Sequence, residues 1–335
     1  MSVVRATGWF SVAGGAAWVD GPSAIPLAPA TLPRADALTD LLLGTGGGGP
    51  ARVDADGLAA VSARLERGLA SVVRPTRAHV QRCVRIGGYQ LAASQRSAAG
   101  APETPFRWTA RAARRTVGLA ALREVLRGRI ATPADAAARV VSRPERFLGG
   151  STPGPGSCAE WLGSLPAPAR AAAEAEATTW ATNVWSALDW ERFDPAPRVG
   201  IADRWWGWAG PVRVALRGRA DLRVDVREER SASLPGSETR RAAAHLLVVA
   251  GSPTPSSRAS LGLSALVDAL LRGPEVAPER VVGWWPECGK AWAVDVDVSA
   301  LGSVVDAVVT AVRDRVRPEA CEHAPRRLAQ AGTPR

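Results

Sequence analysis

Lysine is nearly missing from this chain. Lys290 is the only one in 335 residues, so almost all of the positive charge is arginine. Tyrosine and phenylalanine are scarce as well, one and four residues against 13 tryptophans, so tryptophan dominates the aromatic surface. The four cysteines, Cys83, Cys158, Cys288 and Cys321, are scattered. They form neither a CxxC metal pair nor a dense disulfide framework, and buried or idle thiols are expected. Cys321 and His323 lie close together in a basic tail, but two ligands without a second pair do not make a zinc site. No apolar stretch approaches the roughly 18 residues that a membrane span requires. Met1 to Gly21 has neither a basic flank nor an apolar segment with a cleavage site, so the expectation is a cytoplasmic protein without a membrane partner. The run Gly46 to Gly49 followed by Pro50 lacks both the Gly-Lys-Ser/Thr ending and the preceding strand of a phosphate-cradling loop.

What is present suits a globular protein. A hydrophobic content of 46% with 22% charged residues suffices for a substantial core. A net charge of +10 and an isoelectric point near 10.9 favour anionic partners, nucleic acid ahead of membrane headgroups. The abundance of Arg and Ala is also what a GC-rich coding sequence produces, so charge alone does not separate function from composition.

The periodicity predicts four regions. Residues 1–53 read as an N-terminal appendage with a flexible Gly/Pro-rich segment. Residues 54–150 read as a helical layer: Leu58, Val61, Leu65, Leu69 and Val72 recur at spacings of three and four, and a second helix is expected around Arg77 to Ala93. Thr109 is expected to cap a helix running to about Arg127, and Thr132-Pro133 to open a shorter one. Residues 151–317 read as an α/β core. A long helix from about Ala167 to Asp189 precedes period-two segments at Val212 to Leu216 and Leu222 to Val226, and His245 to Ala250 reads as a buried strand. A helix at Arg258 to Arg272, strands at Arg280 to Trp285 and Ala291 to Val298, and a helix at Leu301 to Arg315 follow. Residues 318–335 are expected to be a disordered basic tail. The predicted fold class is α/β, a mixed central sheet flanked by helices with an N-terminal helical layer.

The segment Val214-Ala215-Leu216-Arg217-Gly218-Arg219-Ala220-Asp221-Leu222 resembles the strand in RecB-type members of the PD-(D/E)XK nuclease superfamily that ends in Gly, two residues and a metal-binding Asp. The resemblance covers roughly residues 105–315 and is clearest at 212–297. It implies a restriction-endonuclease-like core and gives Asp221 the role of a metal-binding acid, or of its relic. The family's next strand carries an acid, any residue, lysine, threonine and glycine, and the matching strand here is Leu246 to Gly251. With Gly251 aligned on that glycine, Leu247 stands at the second acid and Val249 at the lysine. One carboxylate does not fix Mg²⁺ or Mn²⁺, and without the lysine the nucleophile is not steered, so the resemblance implies a degenerate member for which no cofactor is expected. Activity would need Mg²⁺ or Mn²⁺ and a relocated acid, for which Glu238, in the preceding turn, and Glu174 or Glu176, on the long helix, are candidates. Exposed glutamates of this kind are ordinarily solvated, and Asp221 among Arg217, Arg219 and Arg223 also reads as a surface charge network.

Arg107, Arg111, Arg114 and Arg115 fall on one side of the helix start, where the helix dipole disfavours cations and a bound phosphate would relieve the conflict. They form the candidate nucleic-acid contact, against the alternative of surface arginines without a ligand. Trp205-Trp206-Gly207-Trp208 and Trp284-Trp285 suit either base stacking or core packing, with core packing favoured. The leading expectation is a non-cutting PD-(D/E)XK-like protein that binds DNA or serves a DNA-processing protein partner. The alternatives are a metal-dependent nuclease using Asp221 with a relocated Glu, and a protein-interaction module.

Overall fold

The computed structural model describes residues 18–20, 35–44, 53–72, 83–88, 91, 108–148, 157–200, 203–210, 212–228, 239–249, 251–254 and 257–316. The architecture is mixed α/β, built on two mixed sheets. The larger contains β1 (Trp18–Asp20), β3 (Arg198–Val199), β6 (Leu222–Glu228), β7 (Thr239–Val248), β8 (Arg280–Trp285) and β9 (Lys290–Asp295), in the order β1-β9-β8-β7-β6-β3. Only β7 and β8 run parallel within it, and α8 (Ser257–Arg272) connects them. The smaller sheet has the order β2-β5-β4, from β2 (Cys83–Ile86), β4 (Arg204–Ala209) and β5 (Arg213–Gly218).

Strand periodicity sorts the apolar side chains into two cores. Ala244, Leu246, Val248, Val282, Trp284 and Ala291 face α3 (Ala110–Leu126), α4 (Pro133–Ser142) and α7 (Ala167–Ser186), and the short helices α5 (Pro144–Leu148) and α6 (Cys158–Ser164) add Phe147, Cys158 and Leu162 to the same core. Leu247, Val281, Trp285, Trp292 and Val294 face α2 (Ala55–Val72), α8 and α9 (Val298–Val316). Trp284 and Trp285 are therefore both fully buried, on opposite faces of one strand, while Trp205 on edge strand β4 is 46% exposed.

Local chemistry sets the element ends as expected. The Thr109 hydroxyl accepts a hydrogen bond from Ala112 N at 3.1 Å, and α3 ends before Gly128, whose φ of 67° suits a residue without Cβ. Thr132 caps α4 in the same way, with Pro133 in its first turn.

Three sequence expectations change. Within the helix expected around Arg77 to Ala93, Cys83–Ile86 form the strand β2, which pairs parallel with β5, and residues 77–82, 89, 90, 92 and 93 lie outside the described residues. The accessibility of β2 alternates until Ile86 is fully buried, so sheet pairing and burial override helical spacing, and residues 54–150 are not wholly helical. The appendage expected at 1–53 contributes structure: β1 pairs antiparallel with β9, and α1 (Ala35–Leu43) buries Leu38, Leu41 and Leu42 in the first core. The tryptophan cluster at 205–208 is a strand, and it belongs to a second sheet where one was expected.

Helix α3 lies close against α7 because Gly118 carries no side chain. A Cβ there would lie 2.3 Å from Trp180 Cε3. Gly118→Val is expected to cost about 1–3 kcal/mol by overpacking, read as a lowered urea midpoint at an unchanged slope.

Candidate anion-binding site

Asp221 sits where the chain leaves the small sheet and enters the large one. Three residues separate the end of β5 from the start of β6. Asp221 N donates to Leu246 O at 2.8 Å, and its own carbonyl accepts from Gly200 N at 2.9 Å, so the acid is fixed beside the buried strand β7. Gly200 permits this approach, because a Cβ there would meet Ala220 O at 2.0 Å.

The Asp221 side chain has no solvent exposure, and both its oxygens are occupied. Oδ1 accepts from Arg115 Nε at 2.6 Å and from Arg219 Nε at 3.2 Å, with Arg115 Nη2 in close contact. Oδ2 accepts from Arg219 Nη2 at 2.9 Å and from Val248 N at 2.7 Å. Arg219 also donates to Val248 O, which ties the guanidinium to β7. Burial alone would raise the Asp221 carboxyl, but the charges of Arg115 and Arg219 and their hydrogen bonds outweigh it and hold the group at about 2.

In front of this cluster opens a cavity of about 360 Å³, whose lining includes Arg111, Arg114, Arg115, Arg219, Val249 and Pro286. At its rim Glu287, in the turn between β8 and β9, meets the arginines of α3. Glu287 Oε1 accepts from Arg114 Nη2 at 3.0 Å and from Arg111 Nη2 at 3.2 Å, and Oε2 accepts from Gly251 N at 2.9 Å. The Arg114 hydrogen bond, with those of Gly251 N–H and the charge of Arg111, holds the Glu287 carboxyl below its usual range against an opposing effect of burial. Arg114 also approaches Glu176 at 3.7 Å.

Three of the four arginines expected at the helix start thus converge, although Arg115 is engaged with Asp221 rather than facing a ligand. Arg107 and Glu238 lie outside the described residues. Glu174 is half-buried on α7, and Glu176 is turned to Arg114. Among the described residues no group of three His, Cys, Asp or Glu converges as a ligand set. Oxygen ligation of a divalent cation needs free carboxylate lone pairs, and those of Asp221 are taken by two guanidiniums and a backbone N–H. Leu247 packs into the second core, on the face of β7 turned from α3, while Val249, just past the end of β7, is partly buried against that core and also lines the cavity. The residues present therefore do not fit the cation that the family resemblance implies, and an acid at 247 would not by itself restore the fit.

Sequence reasoning missed a second buried network. Asp268 of α8 accepts from Arg204 Nη1 at 2.7 Å and pairs with Arg223 at 3.0 Å, and His245 Nε2 lies 3.3 Å from it. Ser264 Oγ lies 3.4 Å from His245 Nδ1. The three residue types match a hydrolase triad, but all are buried and Asp268 is held by arginines, so no substrate reaches the serine. An aspartate inside the apolar run Ser264-Ala265-Leu266-Val267-Asp268 was the readable signal. Glu287 had none, because its partners come from distant elements.

No protein-family model matches this chain, and no curated protein matches it in sequence.

The buried groups set a two-stage acid response. Burial, then the charges of Arg204 and Arg198, push His245 down to about 3, below its ordinary 6.5. The unfolded chain binds that proton first, so this contribution is complete above about 6.5 and is lost as pH falls toward 3. The depressed Asp221 carboxyl contributes fully above its ordinary 3.8 and loses its contribution as pH falls through about 2. Urea unfolding across pH is expected to show both windows. Asp221→Asn should remove only the lower window and cost about 1.5–3 kcal/mol at neutral pH, because it takes away the buried charge that two half-buried guanidiniums share. A stability unchanged by this substitution would contradict the assignment.

Proposed function

We propose that this chain is a non-cutting relative of the PD-(D/E)XK nucleases that holds DNA by its phosphates at the arginine-lined cavity in front of Asp221, and that it acts as an accessory factor in DNA processing. The observation that carries the reading is the occupation of Asp221. Its two oxygens are spent on Arg115, Arg219 and Val248 N–H, while Arg111 and Arg114 reach the cavity. The acid that would hold a metal in a nuclease instead anchors guanidiniums, which bind phosphate without a metal. Support for the family reading comes from Asp221 beside a buried strand, followed by α8 and a parallel strand β8. An active enzyme would require Asp221 to release both arginines and Mg²⁺ or Mn²⁺ to recruit a second acid. Of the acids expected for that role, Glu176 reaches the arginines of α3, and it is already turned to Arg114.

A second reading, a protein-interaction module, is favoured by one feature. Edge strand β4 exposes Trp205, which stacks with Arg217 at 5.8 Å. Such an edge suits a partner chain.

Binding of labelled single- and double-stranded DNA across a salt series with Mn²⁺, followed by a denaturing gel, separates these readings. The expected result is intact DNA bound with a steep salt dependence. Arg111→Gln with Arg114→Gln should weaken binding about tenfold and flatten the salt slope by about one to two. Cleavage that disappears in Asp221→Asn would establish the nuclease, and no binding at low salt would leave the protein-interaction module.

A further inference from the structure

Glu287 occupies a position that has the chemistry of an anion site. Two guanidiniums from successive turns of α3 and one backbone N–H converge on a single carboxylate: Arg111 and Arg114 on Oε1, Gly251 N–H on Oε2. Cationic donors and a main-chain amide arranged around an oxyanion are the elements of phosphate recognition, and a carboxylate is the side chain that imitates that ligand. The seat lies at the rim of the cavity and at the start of a 17-residue helix, so the helix dipole adds to its preference for an anion.

The occupant is built to leave. Glu287 stands in a three-residue helical turn, Pro286–Cys288, that ends at Gly289 in the left-handed conformation, and its side chain is 35% exposed. The Arg111 side chain is 69% exposed, so the pair closes on the solvent side, where ion pairs are weak and readily exchanged. Arg115 and Arg219, deeper in the cavity, are fixed on Asp221 and do not follow such a movement.

We propose that Arg111, Arg114 and the Gly251 N–H form the seat of a phosphoryl group, and that the Glu287 carboxylate fills this seat as an internal anion which an incoming phosphate must displace. The seat stands on its own geometry, and it rests on the preceding functional reading only for the claim that the phosphate belongs to DNA. Glu287 then lowers affinity: it makes the site selective for ligands that bring more charge than one carboxylate, and it shields the arginines when no ligand is bound.

The test compares full-length wild type with Glu287→Gln, Glu287→Ala and Asp306→Asn, using inorganic phosphate and a labelled 20-base-pair duplex as probes. Asp306, paired with Arg64 on the outer helices, controls for the added unit of net charge. Both Glu287 variants are expected to bind phosphate and duplex about fivefold more tightly than wild type, while Asp306→Asn stays within about twofold. Agreement between the Gln and Ala variants guards against misfolding of either one. Tightening for inorganic phosphate alone would establish the seat and overturn its assignment to DNA. Duplex binding by wild type that no Glu287 variant strengthens would overturn the internal-anion proposal and leave the DNA reading standing. Absence of binding to either probe in all variants would overturn both.

Discussion

A carboxylate without solvent exposure stays charged only if other groups replace the water it has lost. Asp221 meets that condition with two guanidiniums and one backbone N–H, and much of the surrounding structure follows from it. The acid lies where the chain crosses from one sheet to the other. Its partners come from α3, from the crossing itself and from β7, so one interaction ties a helix to both the crossing and the buried strand. Removing the charge would leave Arg115 and Arg219, which line the cavity, without the carboxylate that holds them together.

The two cores depend on the same region. Side chains of β7 and β8 alternate between the α3–α4–α7 side and the α2–α8–α9 side, which is why consecutive tryptophans in β8 are both buried. Gly118 lets α3 pack closely on α7 at Trp180, Arg115 of α3 reaches the end of β7 through Asp221, and the cavity opens there. A deep layer of arginine is fixed by Asp221, and an outer layer is held loosely by Glu287 and Glu176. The inner layer serves the fold, and the outer layer remains exchangeable.

Much of this was readable from residue order. The caps Thr109 and Thr132, the apolar spacing of α2 and the period-two strands from Val212 onward are local signals, and the structure follows them. The arginines of α3 were recognisable as a cluster because helical spacing alone places them together. What was not readable is tertiary. β2 is a strand because β5 offers it an edge, and α1 is ordered because the first core receives Leu38 and Leu42. The burial of Asp221 was also hidden, because neighbouring Arg217 and Arg223 suggested a surface network. Those two in fact pair with Asp203 and Asp268. The partner that matters most, Arg115, lies 106 residues away in the chain.

The oxygens of Asp221 are spent on two arginines and a backbone N–H, a state that competes with ligation of a metal. Titration of the full-length chain with Mn²⁺, followed by electron paramagnetic resonance of the free ion, tests it most directly. The expected result is that no site tighter than about 1 mM appears, in wild type or in Asp221→Asn, because an acid without free lone pairs does not ligate a hard cation. One tightly bound Mn²⁺ per chain in wild type, absent from Asp221→Asn, would contradict the account and return Asp221 to the role of a metal-binding acid.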